Sequence, residues 1–323
     1  MKGAFEGALQ TIPLALFAAM LLSGTAVAES IEDADEAYRR GDYETALRFA
    51  EPLADNGDRV AQYRLGVMYE RGKGLPQDYT AAAMWYRRSA DQGSAQGQNN
   101  LGYLYESGRG VPQDYAEAMK WYRISADQGY GLAQFNVGNM YSNGRGVTKN
   151  DVEAVQWYRK AAEQGHAAGQ FMLGVSYERG RGIANDDAEA VRWYRRAGEQ
   201  GFARAQTNLG VMYTQGRGVG RDDAQAVRWY RKAADQGDVR AQANLGYMYT
   251  KGRGVAKDDA QAVRWYRKAA EQGDARAQTD LGVMYRDGRG VSPDQAAALQ
   301  WFRKAAEQGD TRAKTILRAI GGR

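Results

Sequence analysis

The chain has 323 residues, 26% of them charged, and a net charge of +5. It contains no cysteine, which excludes disulfides, thiolate catalysis, cysteine-ligated zinc and lipidation at an N-terminal cysteine. Absence of thiols also suits an oxidising compartment.

Residues 1–28 read as a targeting segment. Lys2 supplies a thin positive start, partly cancelled by Glu6. Ile12 to Leu22 is an apolar run interrupted by Pro13, and Ala26-Val27-Ala28 offers a small-residue cleavage site before Glu29. A bilayer span needs about 20 apolar residues, so a cleaved signal is expected, with an uncleaved N-terminal anchor as the alternative. The mature protein is predicted to be exported, periplasmic or secreted, without stable membrane insertion. Residues 29–56 follow with nine acids and three arginines, a net of −6, whereas 57–323 carry +11.

From there an aromatic pair sets a strict period. Trp85-Tyr86, Trp121-Tyr122, Trp157-Tyr158, Trp193-Tyr194, Trp229-Tyr230 and Trp265-Tyr266 are followed by Trp301-Phe302, always 36 residues apart. All seven tryptophans belong to this series. Length alone would suggest two globular domains, but such a period means a solenoid of stacked supersecondary units. Within one unit, Ala61, Leu65, Met68 and Tyr69 have helical spacing and end at Gly72, a residue suited to a left-handed stop. A short loop through Gly74 and Pro76 leads to Asp78, which caps a second helix burying Ala82, Trp85 and Tyr86 before Gly93.

The other copies repeat these signals. Asp114, Asn150, Asp186, Asp222, Asp258 and Asp294 stand at the cap, and Glu117, Glu153, Glu189, Gln225 and Gln261 stand where a capping box would close. Gly66, Gly102, Gly138, Gly174, Gly210, Gly246 and Gly282 fall inside the first helix, helix A. Each costs roughly 1 kcal/mol against alanine there, so close approach of the Trp-Tyr face of the second helix, helix B, is expected to compensate.

The segment Ala205 to Tyr213, then Gly216-Arg217-Gly218-Val219, then Ala226 to Gly237 resembles the Sel-1-like repeat, a relative of the tetratricopeptide repeat. The resemblance covers 57–308 in seven copies. Residues 29–56 are expected to form a degenerate N-terminal cap, since Gly41-Asp42-Tyr43 with Ala46-Leu47 echoes a helix B entry. Residues 309–323 are expected to form a C-terminal capping helix. The predicted fold is all-α, a right-handed α-solenoid of 36-residue helix-turn-helix repeats with about seventeen helices.

Few residues suggest chemistry. The single histidine, His166, has no cysteine or fixed acid beside it and reads as a surface residue at the helix A entrance. Gly-basic-Gly recurs around Lys73, Arg109, Arg145, Arg181, Arg217, Arg253 and Arg289. Glycine-rich loops before helices can hold phosphate, but the Asp caps repel an anion, so tight turns with solvated basic tips are expected. On helix B, Arg87, Arg123, Arg159, Arg195, Arg231, Arg267 and Arg303 are each followed four residues on by an acid. That spacing predicts local neutralisation and argues against nucleic acid as a partner. No catalytic, cofactor-binding or metal-binding residue is assigned.

Helix A carries the candidate ligand face. Residues 60, 64, 67 and 71 and their equivalents fall within about 60° of one another, offset from the core stripe. Asn100, Asn136, Asn208 and Asn244 recur on it, with Tyr103 and Tyr247 varying beside them. The resemblance implies that this face lines a concave groove in which Asn bonds a peptide backbone. Asn as a scaffold residue is the alternative. The function expected is a non-enzymatic protein- or peptide-binding scaffold of the bacterial cell envelope. Peptidoglycan or another anionic glycan is the alternative ligand. A cysteine-rich branch of the family is associated with penicillin binding and β-lactamase activity, but its cysteine pairs are missing here and no Ser-x-x-Lys motif stands in the repeats.

Overall fold

The computed structural model describes residues 30–321; the expected targeting segment, 1–28, lies outside them. The described residues form seventeen helices and no strand, an all-α solenoid of repeats whose consecutive helices pack in tandem within each of its compact units. They divide into two compact units, the first ending at Trp85 and the second beginning at Tyr86.

The first unit holds α1 (Ile31–Arg40), α2 (Tyr43–Asp55), α3 (Arg59–Arg71) and the start of α4 (Tyr79–Asp91). Ser30 and Asp33 close a reciprocal capping box on α1. The core here is small: Ala34, Ala37, Ala46, Ala50 and Ala54 are fully buried. Ala37 and Ala46 pack around Met68, and Ala54, Ala61 and Leu65 around Trp85. The residues expected to form the N-terminal cap carry α1 and α2.

In the second unit the A helices are α5 (Ala95–Ser107), α7 (Gly131–Asn143), α9 (Ala167–Arg179), α11 (Ala203–Gln215), α13 (Val239–Lys251) and α15 (Ala275–Asp287). They alternate with the B helices α6 (Tyr115–Asp127), α8 (Asp151–Glu163), α10 (Asp187–Glu199), α12 (Asp223–Asp235), α14 (Asp259–Glu271) and α16 (Gln295–Glu307). The last helix is α17 (Thr311–Gly321).

The helix A glycines explain the pairing within each repeat. A Cβ at Gly138 would stand 2.6 Å from the Tyr158 ring, at Gly174 2.8 Å from Tyr194, and at Gly210 2.5 Å from Tyr230. The same holds for Gly102 with Tyr122, Gly246 with Tyr266 and Gly282 with Phe302. The ring of the second aromatic residue therefore lies where a side chain of helix A would be. The tryptophan has another task. Trp157 shares a core cluster with Ala118 and Met119 of the preceding helix B and Val137 of its own helix A, Trp193 likewise with Val155 and Leu173, and a Cβ at Gly198 of α10 would lie 3.3 Å from the Trp229 ring of the next repeat. Tyrosine joins the two helices of a repeat, and tryptophan joins one repeat to the next.

Polar contacts also run between repeats. Gln134, buried on α7, donates its amide to the Ala126 carbonyl at the end of α6 (3.2 Å) and accepts from Gln164 beyond α8 (3.0 Å). The pattern recurs at Gln98, Gln170, Gln206, Gln242 and Gln278. It gives a second donor to a helix-terminal carbonyl that already accepts from the turn glycine, as Ala126 does from the Gly129 N–H at 2.9 Å. The loop after each helix A docks on the preceding helix B. A Cβ at Gly182 would fall 2.0 Å from the Asp151 carbonyl oxygen, and one at Gly218 2.1 Å from that of Asp187. Both glycines have positive φ, 67° and 63°.

Four expectations about surface residues need correction. The arginine of the Gly-Arg-Gly loop is not a solvated tip in the later repeats. Arg217 pairs with Asp187 at 2.7 Å, Arg253 with Asp223 at 2.8 Å and Arg289 with Asp259 at 2.8 Å, each bond crossing to the preceding repeat. The Arg253 guanidinium holds the Asp223 carboxyl down at about 2. On helix B, only Arg123 of its row pairs with the acid four residues on, Asp127, at 3.3 Å. Arg159, Arg195 and Arg231 instead donate to Tyr177, Tyr213 and Tyr249 of the next helix A at 2.6–2.9 Å. A tyrosine hydroxyl held against the helix is a nearer partner than a solvated carboxylate on a flexible stem.

The helix B caps are as expected, with Asp78, Asp114, Asn150 and Asp186 accepting from backbone N–H groups. The reciprocal arm of the capping box is absent from α6, α8, α10, α12 and α14. Glu117 and Glu189 turn instead to Lys120 and Arg192. His166 is more than a surface residue. Its Nδ1 accepts from the Gly169 N–H at 3.2 Å, capping α9, and its ring lies 5.2 Å from that of Phe135.

Two outcomes follow from this packing. Trp193→Ala, in a middle repeat, should destabilise by roughly 3–5 kcal/mol, and Trp301→Ala by less, because Trp301 is only half-buried; circular-dichroism melts showing equal losses would contradict the nearest-neighbour packing. Burial lowers the His166 pKa below its ordinary 6.5. The folded state then favours neutral imidazole, so its contribution is present above about 6.5 and lost as pH falls through the depressed value. His166→Asn keeps a capping oxygen, and its melting temperature should fall less on acidification than that of the parent.

Candidate functional site

The candidate face lies on helix A, two residues before each interior glycine. The tyrosine that covers the glycine brings its hydroxyl to this face. Tyr122 donates to Glu106 at 2.8 Å, Tyr158 to Asn139 at 2.9 Å and Tyr194 to Glu178 at 2.5 Å. Burial raises the pKa of all three, with that of Tyr158 reaching about 12. They are fixed neutral donors, not titrating groups.

The asparagine row divides in two. Asn136 donates to Asn99 of the preceding repeat at 2.9 Å, and Asn99 donates to Asn100 at 3.1 Å. Asn100 and Asn136 are thus tied into the scaffold. Asn208 and Asn244 stand at openings. Asn208 lies against the Tyr194 hydroxyl and lines a concavity of about 260 Å³ floored by Phe171, Met172 and Val175. Asn244 lines the next, about 240 Å³, with Tyr230, Tyr247 and Arg276. In the following repeat Asp280 takes the position, in a concavity of about 190 Å³ that Tyr247 also lines. Burial raises the Asp280 pKa, opposed by its ion pair with Arg312. Tyr103 is exposed and receives a 3.4 Å bond from Arg109. The structure thus brings Asn208, Asn244 and Tyr247 to neighbouring concavities, and places Asn100, Asn136 and Tyr103 in earlier repeats.

A second feature of this face escaped the reading of the sequence. Arg204, Arg240, Arg276 and Arg312 occupy the second residue of α11, α13, α15 and α17, where α5, α7 and α9 have Gln96, Leu132 and Ala168. Column-by-column comparison of the repeats would have found it. Among the described residues no group of three or more His, Asp or Glu could hold a metal ion, and no helix is long and apolar enough to cross a membrane.

Seven consecutive matches to the Sel1 repeat cover residues 59–94, 95–130, 131–166, 167–202, 203–238, 239–274 and 275–310. A search of the curated proteins gives no match. Among solved structures, the chain is similar to c5321, a protective antigen present in uropathogenic Escherichia coli strains and displaying an SLR fold. The identity is 37% over 90% of this chain and 67% of that one, with a TM-score of 0.78. A Sel1 repeat protein from Oxalobacter formigenes is 32% identical over 75% of this chain and 97% of that one, with a TM-score of 0.67. Seven tandem matches, and two relatives that share the fold at above 30% identity, establish that the chain belongs to the Sel1 repeat family.

Proposed function

We propose that this Sel1 repeat scaffold is a non-enzymatic adaptor of the bacterial cell envelope that holds an extended segment of a partner protein along its helix A face. The observation that carries the reading is the run of concavities at Asn208, Asn244 and Asp280, one per repeat. A 36-residue repeat presents equivalent groups at regular intervals, and an extended chain presents its backbone in the same manner. An asparagine amide offers both donors and an acceptor to such a backbone. Tyr247 adds a partly exposed ring between two of the openings. Export is supported by the apolar run Ile12 to Leu22 and the small residues Ala26-Val27-Ala28. Mass spectrometry of the exported protein should find Glu29 or a near neighbour at its N-terminus; an intact N-terminus held in the membrane would refute cleavage.

The two halves of the asparagine row separate binding from stability. Asn208→Ala with Asn244→Ala should weaken partner capture, measured by cross-linking in the native envelope, on the order of tenfold, since each lost hydrogen bond is worth about 1 kcal/mol. Its melting temperature should stay near that of the parent. Asn100→Ala with Asn136→Ala should do the reverse, lowering the melting temperature with little effect on capture. If the first pair leaves capture intact, the helix A face is not the binding surface.

A further inference from the structure

The four guanidinium groups around the Asn208 concavity identify the chemistry of the partner, given the scaffold reading above. Arg179 and Arg181 come from the end of α9 and its loop, Arg204 from α11 and Arg240 from α13. All four are exposed, and none forms an ion pair among the described residues. The one acid that lines the opening, Asp238, is held by neutral donors, capping α13 through the Ala241 N–H at 2.8 Å and accepting from Thr207 at 2.9 Å, and it offsets one of the four positive charges.

The fold does not require this cluster. At the positions of Arg179 and Arg204 the preceding repeat has Asn143 and Ala168. Arg181 is the more telling case. Its successors Arg217, Arg253 and Arg289 each reach back to the first residue of the preceding helix B. The equivalent acid, Asp151, is present, yet Arg181 makes no bond to it and lines the concavity instead. Four guanidinium groups line one opening beside a single carboxylate, so the opening carries an excess of positive charge that attracts an anion.

We propose that this concavity docks an acidic segment of a partner polypeptide, with carboxylate side chains accepting from Arg179, Arg181, Arg204 and Arg240. Guanidinium groups suit paired recognition of carboxylates. Asn208 stands among them to bond the backbone of the same segment. A polysaccharide would be read by open aromatic faces, and here Phe171 is 4% exposed and roofed by Arg204, 4.9 Å from its ring centroid. The apolar floor of Met172 and Val175 favours an acidic segment that also carries aliphatic side chains.

The test uses the full mature chain with a labelled oligoglutamate peptide, its oligoglutamine counterpart and polygalacturonate, followed by fluorescence anisotropy. Oligoglutamate should bind, oligoglutamine should not, and the affinity should fall steeply with salt. The combined variant Arg179→Gln, Arg181→Gln, Arg204→Gln and Arg240→Gln should lose more than about tenfold in affinity. A control with the same loss of charge elsewhere, Lys149→Gln, Arg228→Gln, Lys257→Gln and Arg303→Gln, should stay within about twofold of the parent. Equal losses in both variants would reduce the effect to net charge and overturn the proposal. So would failure of oligoglutamate to bind, or binding of polygalacturonate alone, which would assign the cluster to a glycan. If the envelope partner is still captured by the fourfold pocket variant but not by the Asn208→Ala and Asn244→Ala pair, the scaffold reading stands and the acidic segment is refuted.

Discussion

The repeats of the second unit depend on one steric relation, in which a tyrosine ring of helix B occupies the space that a helix A side chain would fill. Glycine inside a helix is unfavourable by roughly 1 kcal/mol against alanine, and the cost recurs in every repeat. What offsets it is burial of a large ring at van der Waals distance from helix A. Tyr122, Tyr158 and Tyr194 are each at most 2% exposed. With the A–B pair fixed in this way, the tryptophan one residue earlier faces the neighbouring repeat, and the two jobs of the aromatic pair follow from adjacent positions on one helix.

Interfaces between repeats use backbone and polar groups as much as apolar burial. The second loop glycine lets the loop rest on a carbonyl of the preceding helix B, the glutamine chain adds a second donor to helix-terminal carbonyls, and the arginine clamps reach the preceding repeat. Such nearest-neighbour terms are what make stability in repeat arrays approximately additive along the chain. They also sort the residues of interest. A group present in every copy at the same place is answering a packing demand. The arginine column that begins at Arg204, absent from α5, α7 and α9, and the unclamped Arg181 depart from the earlier repeats, and they do so on the face that the core leaves open.

Much of this was legible from the sequence because the period is strict. The spacing of the Trp-Tyr pairs, the interior glycines and the Asp caps led directly to the number, order and kind of helices. The glutamine chain was not legible, since Gln98, Gln134 and Gln170 look like ordinary polar residues until the carbonyl they reach is known. The clamps were misread for a related reason: Arg217 and Asp187 are thirty residues apart, and only the stacking of one repeat on the next brings them to 2.7 Å. At the candidate site, Asn100 and Asn208 are equivalent in the repeat, yet the first is held by Asn99 and the second lines an opening. Their difference lies in the residues one position away, Asn99 against Thr207, and in which arginines stand in the following repeats.

A double-mutant cycle between helices A and B tests the central claim most directly. Gly210→Ala in the parent protein should lower stability by roughly 1–3 kcal/mol through overpacking against Tyr230, even though alanine is the better helix former. In a Tyr230→Ala background the ring is gone, and the same substitution should raise stability by up to about 1 kcal/mol. The sign of the effect therefore reverses, and the coupling between the two sites exceeds the roughly 0.5 kcal/mol expected of independent positions. If Gly210→Ala stabilises the parent protein and the two effects simply add, the tyrosine does not set the approach of the helices and the account fails.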